Sequence, residues 1–224
     1  MEEIITETGS LPVKRINNNI FIFKHTVVTR IVHGLHLLSM VMLILTGFYI
    51  YAPTTFKIFP NMDVARYIHF IFMYLIGWTM IYKTYYIIAT GEIKDLIFRW
   101  RDLLELPSLI KHYTYDIFVG IPEKDTGKYR KYNCGQRLVY SMWPILLLIQ
   151  GITGIAMYFT ERWAKFSNLF GGIQNLKFIH FIICWLFVLT VAAHFYLGST
   201  GPKVIDFYKS MITGWEKHVL KKKN

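Results

Sequence analysis

Four long apolar stretches alternate with polar connections along this chain. They cover about residues 29–51, 65–89, 138–159 and 177–198. Each stretch reaches the ~20 apolar residues that a helix needs to cross the hydrocarbon core of a bilayer. Because a backbone in lipid must satisfy its own hydrogen bonds, each stretch is predicted to be helical. The pattern therefore predicts an all-α membrane protein, built as a bundle of four transmembrane helices.

The connections between the helices differ in length and character. Residues 1–25 are polar and are expected to lie over the cytoplasmic surface, while the first and third connections are short. The long connection, about residues 90–137, mixes acidic and basic residues, and its 92–106 part resembles an amphipathic helix at a membrane surface. No internal repeat is evident in this pattern. A single membrane domain over residues 1–224 is therefore predicted.

The distribution of charge predicts the orientation of the helices. The chain has 224 residues, of which 54% are hydrophobic and 17% charged, and its formal net charge is +11. Only five of its 25 Lys and Arg residues belong to the first and third connections, namely Lys57, Arg66, Arg162, Lys165 and Lys177. Since positive residues accumulate on the cytoplasmic side, both termini and the 90–137 loop are predicted to be cytoplasmic. The charge fits a multi-pass protein of the cell inner (plasma) membrane, and no nucleic acid is expected as a partner.

The two cysteines exclude several kinds of site. Cys134 falls in the long loop and Cys184 inside the fourth helix, so no disulfide between them is expected. The sequence has no C-x-x-C-H motif, which excludes covalently attached c-type haem. Two thiols cannot supply the four ligands of an iron–sulfur cluster, so a cluster that works with this chain must belong to another subunit.

Histidines inside the apolar stretches are the most informative candidates for chemistry. His180 and His194 are fourteen positions apart in one uncharged run. At about 100° and ~1.5 Å per residue, they share one helix face and lie ~21 Å apart along the axis. Two more histidines, His33 and His69, lie near the ends of the first and second helices. An ionisable residue within a membrane helix costs a few kcal/mol, so four of them favour a shared role.

The antiparallel order of the helices pairs these histidines at two depths. His33 and His194 lie near the inner ends of their helices, whereas His69 and His180 lie near the outer ends. Neutral imidazoles on both faces of one iron give a six-coordinate haem, which is suited to electron transfer. We therefore expect an inner haem on His33 and His194 and an outer haem on His69 and His180. His36 is the rival to His33 as a ligand, and hydrogen bonding between helices is the alternative role for any single histidine.

The residues around these histidines resemble a known family. The run Arg30-Ile31-Val32-His33, followed by Thr46-Gly47, is similar to the first helix of the cytochrome b subunit of membrane-bound nickel-iron hydrogenases, although Gly34 replaces the usual Trp. The last helix of that group is matched by His180, Trp185 and His194. The 127–136 segment is closer to the gamma subunit of respiratory formate dehydrogenases. Both groups are four-helix dihaem cytochromes b, and the similarity spans nearly all of the chain beyond residue 25.

The resemblance implies the same four haem ligands and adds a quinone site. In the formate dehydrogenase branch an Asn-x-Gly-Gln segment borders the quinone, which here implies Asn133, Gly135 and Gln136. Amide groups can donate to a quinone carbonyl, and a glycine lets the ring approach the backbone. The alternative is that Asn133 caps the third helix while Gln136 faces solvent. Basic residues at the inner edge could pair with haem propionates or simply extend to the interface, namely Arg30, Lys83 and Arg137.

The resemblance also implies a function and partners. Electrons would pass from an outer-side iron–sulfur subunit and its catalytic subunit, of hydrogenase or formate dehydrogenase type, through two haem b groups. The acceptor would be quinone (menaquinone or ubiquinone) near the cytoplasmic face. Two alternatives remain: a stand-alone transmembrane haem oxidoreductase, and a non-haem metal-binding membrane anchor or transporter. The second alternative predicts histidines clustered at one depth.

Overall fold

The structure is a computed structural model of the chain, and it describes residues 3–5, 13–16, 19–120, 132–201 and 203–219. Its helices are α1 (Val27–Tyr51), α2 (Met62–Ala89), α3 (Ile93–Leu96), α4 (Trp100–Lys111), α5 (Cys134–Tyr158), α6 (Ala164–Leu169), α7 (Ile173–Gly198) and α8 (Asp206–Thr213), and a π-helical turn covers His112–Asp116. Its strands are β1 (Glu3–Ile5), β2 (Val13–Ile16), β3 (Asn19–Phe23) and β4 (Trp215–Val219). The described chain is therefore mostly helical.

The four predicted transmembrane helices are present as α1, α2, α5 and α7. Among the described residues, these four are long and apolar enough to cross a membrane. Each begins two to four residues before the apolar stretch that predicted it. Asn61 accepts a hydrogen bond from the backbone N–H of Val64 at 2.8 Å, at the start of α2. Large apolar side chains on these helices are exposed, Trp78 by 69%, as lipid-facing side chains would be.

A four-stranded antiparallel sheet corrects the prediction that the fold is all-α. Its strand order is β1-β2-β3-β4, so an N-terminal strand pairs with the C-terminal strand. Phe23 is the partner of Trp215 in this pairing, and their rings meet edge to face with centroids 5.2 Å apart. The strands are only three to five residues long, so a reading based on membrane-length stretches does not detect them. Strands from the segments before α1 and after α8 therefore lie side by side.

The chain divides into two compact units. The first comprises Met1–Ile76 and Val191–Asn224 and contains the sheet, α1 and α8. Within it the backbone N–H groups of Lys24 and His25 donate to the Gly214 carbonyl at 2.9 and 3.2 Å. Gly214 has a φ of 87°, and a Cβ there would lie 2.7 Å from the carbonyl oxygen of His25, so the position requires glycine.

The second unit, Gly77–Thr190, contains the segment that follows α2. Part of this segment packs against α5. Helix α4 packs on the first turns of α5 through an ion pair between Asp102 and Arg137, which are only 1% and 5% exposed. Asp102 also caps α4, since it accepts a hydrogen bond from the Arg99 N–H at 2.7 Å. The amphipathic helix predicted over 92–106 is thus two helices, α3 and α4, and α4 is held by a buried polar contact.

Candidate haem-binding site

His33 and His194 come together in the first unit. His33 lies in the second turn of α1 and His194 near the end of α7, and their ring centroids are 6.0 Å apart with the planes tilted by 49°. An imidazole nitrogen lies about 2 Å from a metal that it binds and about 1 Å from its own ring centre, so two imidazoles across one metal have centres about 6 Å apart. The observed separation fits two axial ligands of one haem iron. His33, the expected inner-haem ligand, makes this ring contact.

His69 is held by a hydroxyl group from the neighbouring long helix. Thr46 Oγ1 on α1 lies 2.8 Å from His69 Nδ1 on α2. Gly47 lies beside this contact, and a Cβ there would be 3.8 Å from His69 Cε1. With Nδ1 engaged, Nε2 is the ring nitrogen of His69 that can bind iron.

His180 has the same arrangement in the second unit. Thr153 Oγ1 on α5 lies 2.9 Å from His180 Nδ1 on α7, and a Cβ on Gly154 would lie 3.4 Å from His180 Cε1. The side chain of Gln150 adds a second link, because its Nε2 donates to the His180 carbonyl at 3.1 Å. His180 is therefore oriented at both its ring and its backbone by α5.

The two arrangements are built from similar short segments, a local correspondence within a chain that was predicted to have no internal repeat. In each arrangement a threonine–glycine pair lies against a histidine on a later long helix. Thr46-Gly47 lies against His69, and Thr153-Gly154 lies against His180. The sequences around those histidines also match, as Arg66-Tyr67-Ile68-His69-Phe70-Ile71 and Lys177-Phe178-Ile179-His180-Phe181-Ile182. The threonine and histidine are 23 residues apart in one half and 27 in the other, so a comparison at one fixed period misses the match.

Helix α5 begins with a capping box made by the candidate quinone residues. Asn133 Oδ1 accepts from the Gln136 N–H at 2.8 Å, and Gln136 Oε1 accepts from the Asn133 N–H at 3.0 Å. Asn133 therefore caps the helix, while the NH2 groups of both side chains are the donors that a quinone carbonyl would need. Gly135 makes room for α4, because a Cβ there would lie 2.8 Å from Leu109 Cδ2. Residues 127–131 of the segment that carried the resemblance lie outside the described residues.

Aromatic and basic side chains surround the start of α5. The rings of Tyr132 and Tyr140 meet edge to face with centroids 5.3 Å apart, and Lys83 Nζ lies 4.9 Å from the Tyr140 ring centre. Lys83, a candidate partner of a haem propionate, thus makes a cation–π contact. Burial, together with the nearby carboxylates of Glu92 and Asp95, raises the pKa of Tyr132 to about 12. The Tyr132 hydroxyl consequently stays protonated at physiological pH.

The other candidate propionate partners are also engaged with protein groups. Arg30 donates from its guanidinium to the carbonyl of Ile212, and Arg137 pairs with Asp102. The two cysteines are free thiols, as expected. Within the part of the chain that the structure describes, no three or more His, Cys, Asp or Glu side chains are grouped so that they could hold a metal ion.

Sequence reasoning noted Thr46 only as part of the family resemblance, and it missed Thr153 and Asp102. A threonine in an apolar helix usually bonds to its own backbone, so neither threonine is conspicuous by itself. The usable signal was the Thr-Gly pair that precedes a histidine-bearing helix in both halves. For Asp102, the signal was an acid inside an amphipathic stretch with a basic residue at the start of the next helix.

Comparison with known proteins identifies the family of this chain. The profile of the family described as prokaryotic cytochrome b561 matches residues 24–214, a range that contains all four long helices. A relative, the F420 non-reducing hydrogenase II cytochrome subunit of Methanosarcina mazei, is 25% identical over 232 residues, which cover 87% of this chain and 83% of the relative. The family implies haem b as the cofactor. With its four apolar helices, the chain belongs to the prokaryotic cytochrome b561 family of multi-pass membrane proteins.

Proposed function

We propose that this chain is the dihaem cytochrome b subunit that anchors a hydrogenase-type complex in the membrane. It passes electrons from a partner on the outer side to quinone near the cytoplasmic face. The observation that supports this most strongly is the 6.0 Å separation between the ring centres of His33 and His194. At this separation an ion could lie between one nitrogen of each ring.

Four histidines serve as axial ligands in this proposal. His33 and His194 hold the inner haem, and His69 and His180 hold the outer one. Each haem b supplies one-electron transfer at a potential that its ligands, burial and hydrogen bonds tune. The protein keeps the rings in place from the helices: Thr46 engages Nδ1 of His69, and Thr153 engages Nδ1 of His180.

The partners follow from what the chain contains and from its similarity to a hydrogenase cytochrome subunit. With only two cysteines, the chain needs an iron–sulfur subunit to connect it to a catalytic centre. The relative from Methanosarcina mazei is a cytochrome subunit of a hydrogenase, which favours a hydrogenase over a formate dehydrogenase as that centre. Both partners dock on the outer face in this proposal.

Quinone is the acceptor in this proposal, bound next to the start of α5. Asn133 and Gln136 keep their NH2 groups as donors while their oxygens form the capping box. Reduction of quinone there draws protons from the cytoplasm. Each charge that crosses the membrane in this way stores ~2.3 kcal/mol per 100 mV.

The decisive experiment is a haem assay on the complex purified from membranes. We expect two haem b groups per chain, with the low-spin spectrum of two imidazole ligands on each iron. His33→Ala should remove the inner haem and His69→Ala the outer one, whereas His36→Ala should keep both. In the His69→Ala complex, quinol should still reduce the inner haem although turnover from the donor to quinone is lost.

Two results would contradict the proposal. A wild-type complex with fewer than two haem b groups per chain would rule out the dihaem arrangement. Retention of both haems in the His69→Ala complex would rule out the proposed pairing of ligands.

A further inference from the structure

The hydroxyl groups of Thr46 and Thr153 donate their protons within their own helices. Thr46 Oγ1 lies 2.6 Å from the Met42 carbonyl oxygen, and Thr153 Oγ1 lies 2.8 Å from the Ile149 carbonyl oxygen. A carbonyl oxygen can only accept a hydrogen bond, and a hydroxyl group has one proton to donate. Each threonine oxygen therefore presents a lone pair to the histidine beside it.

The histidine is consequently the donor in each threonine–histidine contact. Thr46 Oγ1 lies 2.8 Å from His69 Nδ1, and Thr153 Oγ1 lies 2.9 Å from His180 Nδ1. A neutral imidazole carries a single proton, so a proton on Nδ1 leaves a lone pair on Nε2. This is the tautomer that a histidine needs in order to bind a metal through Nε2, with an orienting hydrogen bond on the other nitrogen.

The same three-part arrangement occurs twice. In each case a threonine engages Nδ1, the next residue is glycine, and that glycine faces Cε1 of the same ring. A Cβ would lie 3.4 Å from His180 Cε1 at Gly154 and 3.8 Å from His69 Cε1 at Gly47, which is van der Waals contact in both cases. The arrangement recurs although the threonine–histidine spacing differs between the halves, at 23 and 27 residues. Its recurrence indicates a shared role for the two threonines.

We infer that Thr46 and Thr153 are positioning residues that fix the tautomer and the orientation of the two outer-haem ligands. This inference rests on the proposed function, and it adds residues that do not touch the haem themselves. Each threonine oxygen accepts a hydrogen bond from the Nδ1–H group and so increases the electron density that its imidazole would give to iron. Loss of this hydrogen bond should favour the reduced state of the outer haem.

The test is a redox titration of the purified complex with Thr46→Val and Thr153→Val, which remove the hydroxyl and keep the shape. At a fixed ambient potential near the midpoint, we expect the reduced-to-oxidised ratio of the outer haem to rise about tenfold, which is about 59 mV for one electron. Thr46→Ser and Thr153→Ser keep the hydroxyl and should retain the wild-type potential. Thr190→Val is the matched control, because the Thr190 hydroxyl also donates within α7, to the Leu186 carbonyl at 2.9 Å.

The outer haem is identified in the titration as the one that His69→Ala removes. If a valine variant loses the outer haem while its serine variant keeps it, the hydroxyl is needed to hold the ligand, which supports the inference. The inference is overturned if the valine variants titrate like Thr190→Val, or if the serine variants change as much as the valine variants. It is also overturned if the shift falls on the haem that His33→Ala removes.

The same measurements separate this inference from the proposed function. A wild-type complex without two haem b groups would contradict the proposed function and, with it, the inference. A wild-type complex with two haems whose potentials do not respond to either valine variant would contradict the inference alone.

Discussion

A neutral histidine inside an apolar helix has two ring nitrogens to satisfy, and this requirement explains the residues around each of the four candidates. His69 and His180 place Nδ1 against a threonine on another long helix. His33 and His194 place their rings at the distance that suits a shared metal. The contact with threonine spares Nδ1 of His69 and of His180 the penalty of an unsatisfied atom in lipid.

At the same scale, His25 makes the sheet sensitive to acid. Burial lowers the pKa of His25, the nearby Glu216 carboxylate opposes this shift, and Lys24 and Arg30 reinforce it. The unfolded segment, with a pKa of about 6.5, therefore binds a proton before the folded one does as the pH falls. The stability due to neutral His25 is complete above that pH and decreases below it. We expect amide exchange in β3 and β4, after correction for intrinsic rates, to accelerate between pH 7.5 and 5.5.

His25→Gln is the control for this prediction. Glutamine does not titrate, so the pH dependence of exchange in β3 and β4 should largely disappear. The Lys24–Glu216 ion pair, at 2.8 Å, remains in both proteins. An equal acceleration in the variant would show that another group is responsible.

Single residues also show why the site could be predicted only in part. The histidines are visible in the sequence because a titratable residue in an apolar stretch is unusual. Thr46 and Thr153 are not visible in this way, because a helical threonine can satisfy its hydroxyl on its own backbone. Their contacts with His69 and His180 distinguish them from Thr190, and a contact across helices depends on the tertiary structure.

At the scale of elements, the joint between α4 and α5 is built on a buried ion pair. Asp102 and Arg137 are almost fully buried, and Asp102 also caps α4. Hydropathy predicted an amphipathic segment here, but it could not predict which charged residue would be buried. Burial of Asp102 depends on Arg137, thirty-five residues away, which a local pattern does not include.

Arg137→Met should destabilise the protein because it leaves the Asp102 carboxylate buried without the guanidinium. Removing one partner of a buried pair costs about 3–5 kcal/mol. Adding Asp102→Asn should recover most of this loss, because asparagine is neutral and still accepts from the Arg99 N–H. Thermal unfolding in detergent measures both. Lys111→Ala is the control, since Lys111 is 67% exposed and lies 3.6 Å from Asp116, and it should change stability by less than about 1 kcal/mol.

The capping box allows the helix-capping and quinone roles of Asn133 and Gln136 to be separated. Asn133→Asp and Gln136→Glu keep the oxygens that accept from the two backbone N–H groups, and they remove the NH2 donors. Stability should be kept, since an acid at a helix start is favourable. If the NH2 groups bind quinone, the KM for quinone should rise about threefold to tenfold for one lost hydrogen bond.

Asn133→Ala is the comparison for that measurement, because it removes the cap as well as the donor. It should lower stability by about 1 kcal/mol. Wild-type quinone kinetics in Asn133→Asp, together with a loss of stability in Asn133→Ala, would restrict Asn133 to capping.

At the scale of the whole molecule, the hydropathy and charge patterns carry most of the information. They predict the four long helices, which the structure contains. The structure adds the pairing of β3 with β4, which brings these two strands side by side. The sheet itself could not be predicted from the same patterns, because β3 and β4 are separated by almost the whole chain. Their pairing becomes possible only when the helices between them bring them together.

The predicted orientation can be tested by labelling cysteines from outside the cell. In a chain whose Cys134 and Cys184 have been replaced, single cysteines would be placed at the exposed positions Lys57, Lys165, Lys94 and Lys203. A thiol reagent that does not cross membranes should label the cysteines at 57 and 165 in intact spheroplasts. Those at 94 and 203 should react only after lysis. The reverse pattern would place the proposed quinone site on the outer side.

The pairing of β3 with β4 also sets an order of events during synthesis. The ribosome finishes β3 before it makes α1, and it makes β4 only after α8. One edge of β3 is therefore unpaired while the long helices insert into the bilayer. Closure of this sheet is a late step in biogenesis, and a nascent chain stalled before Trp215 should still have β3 open to proteases or chaperones.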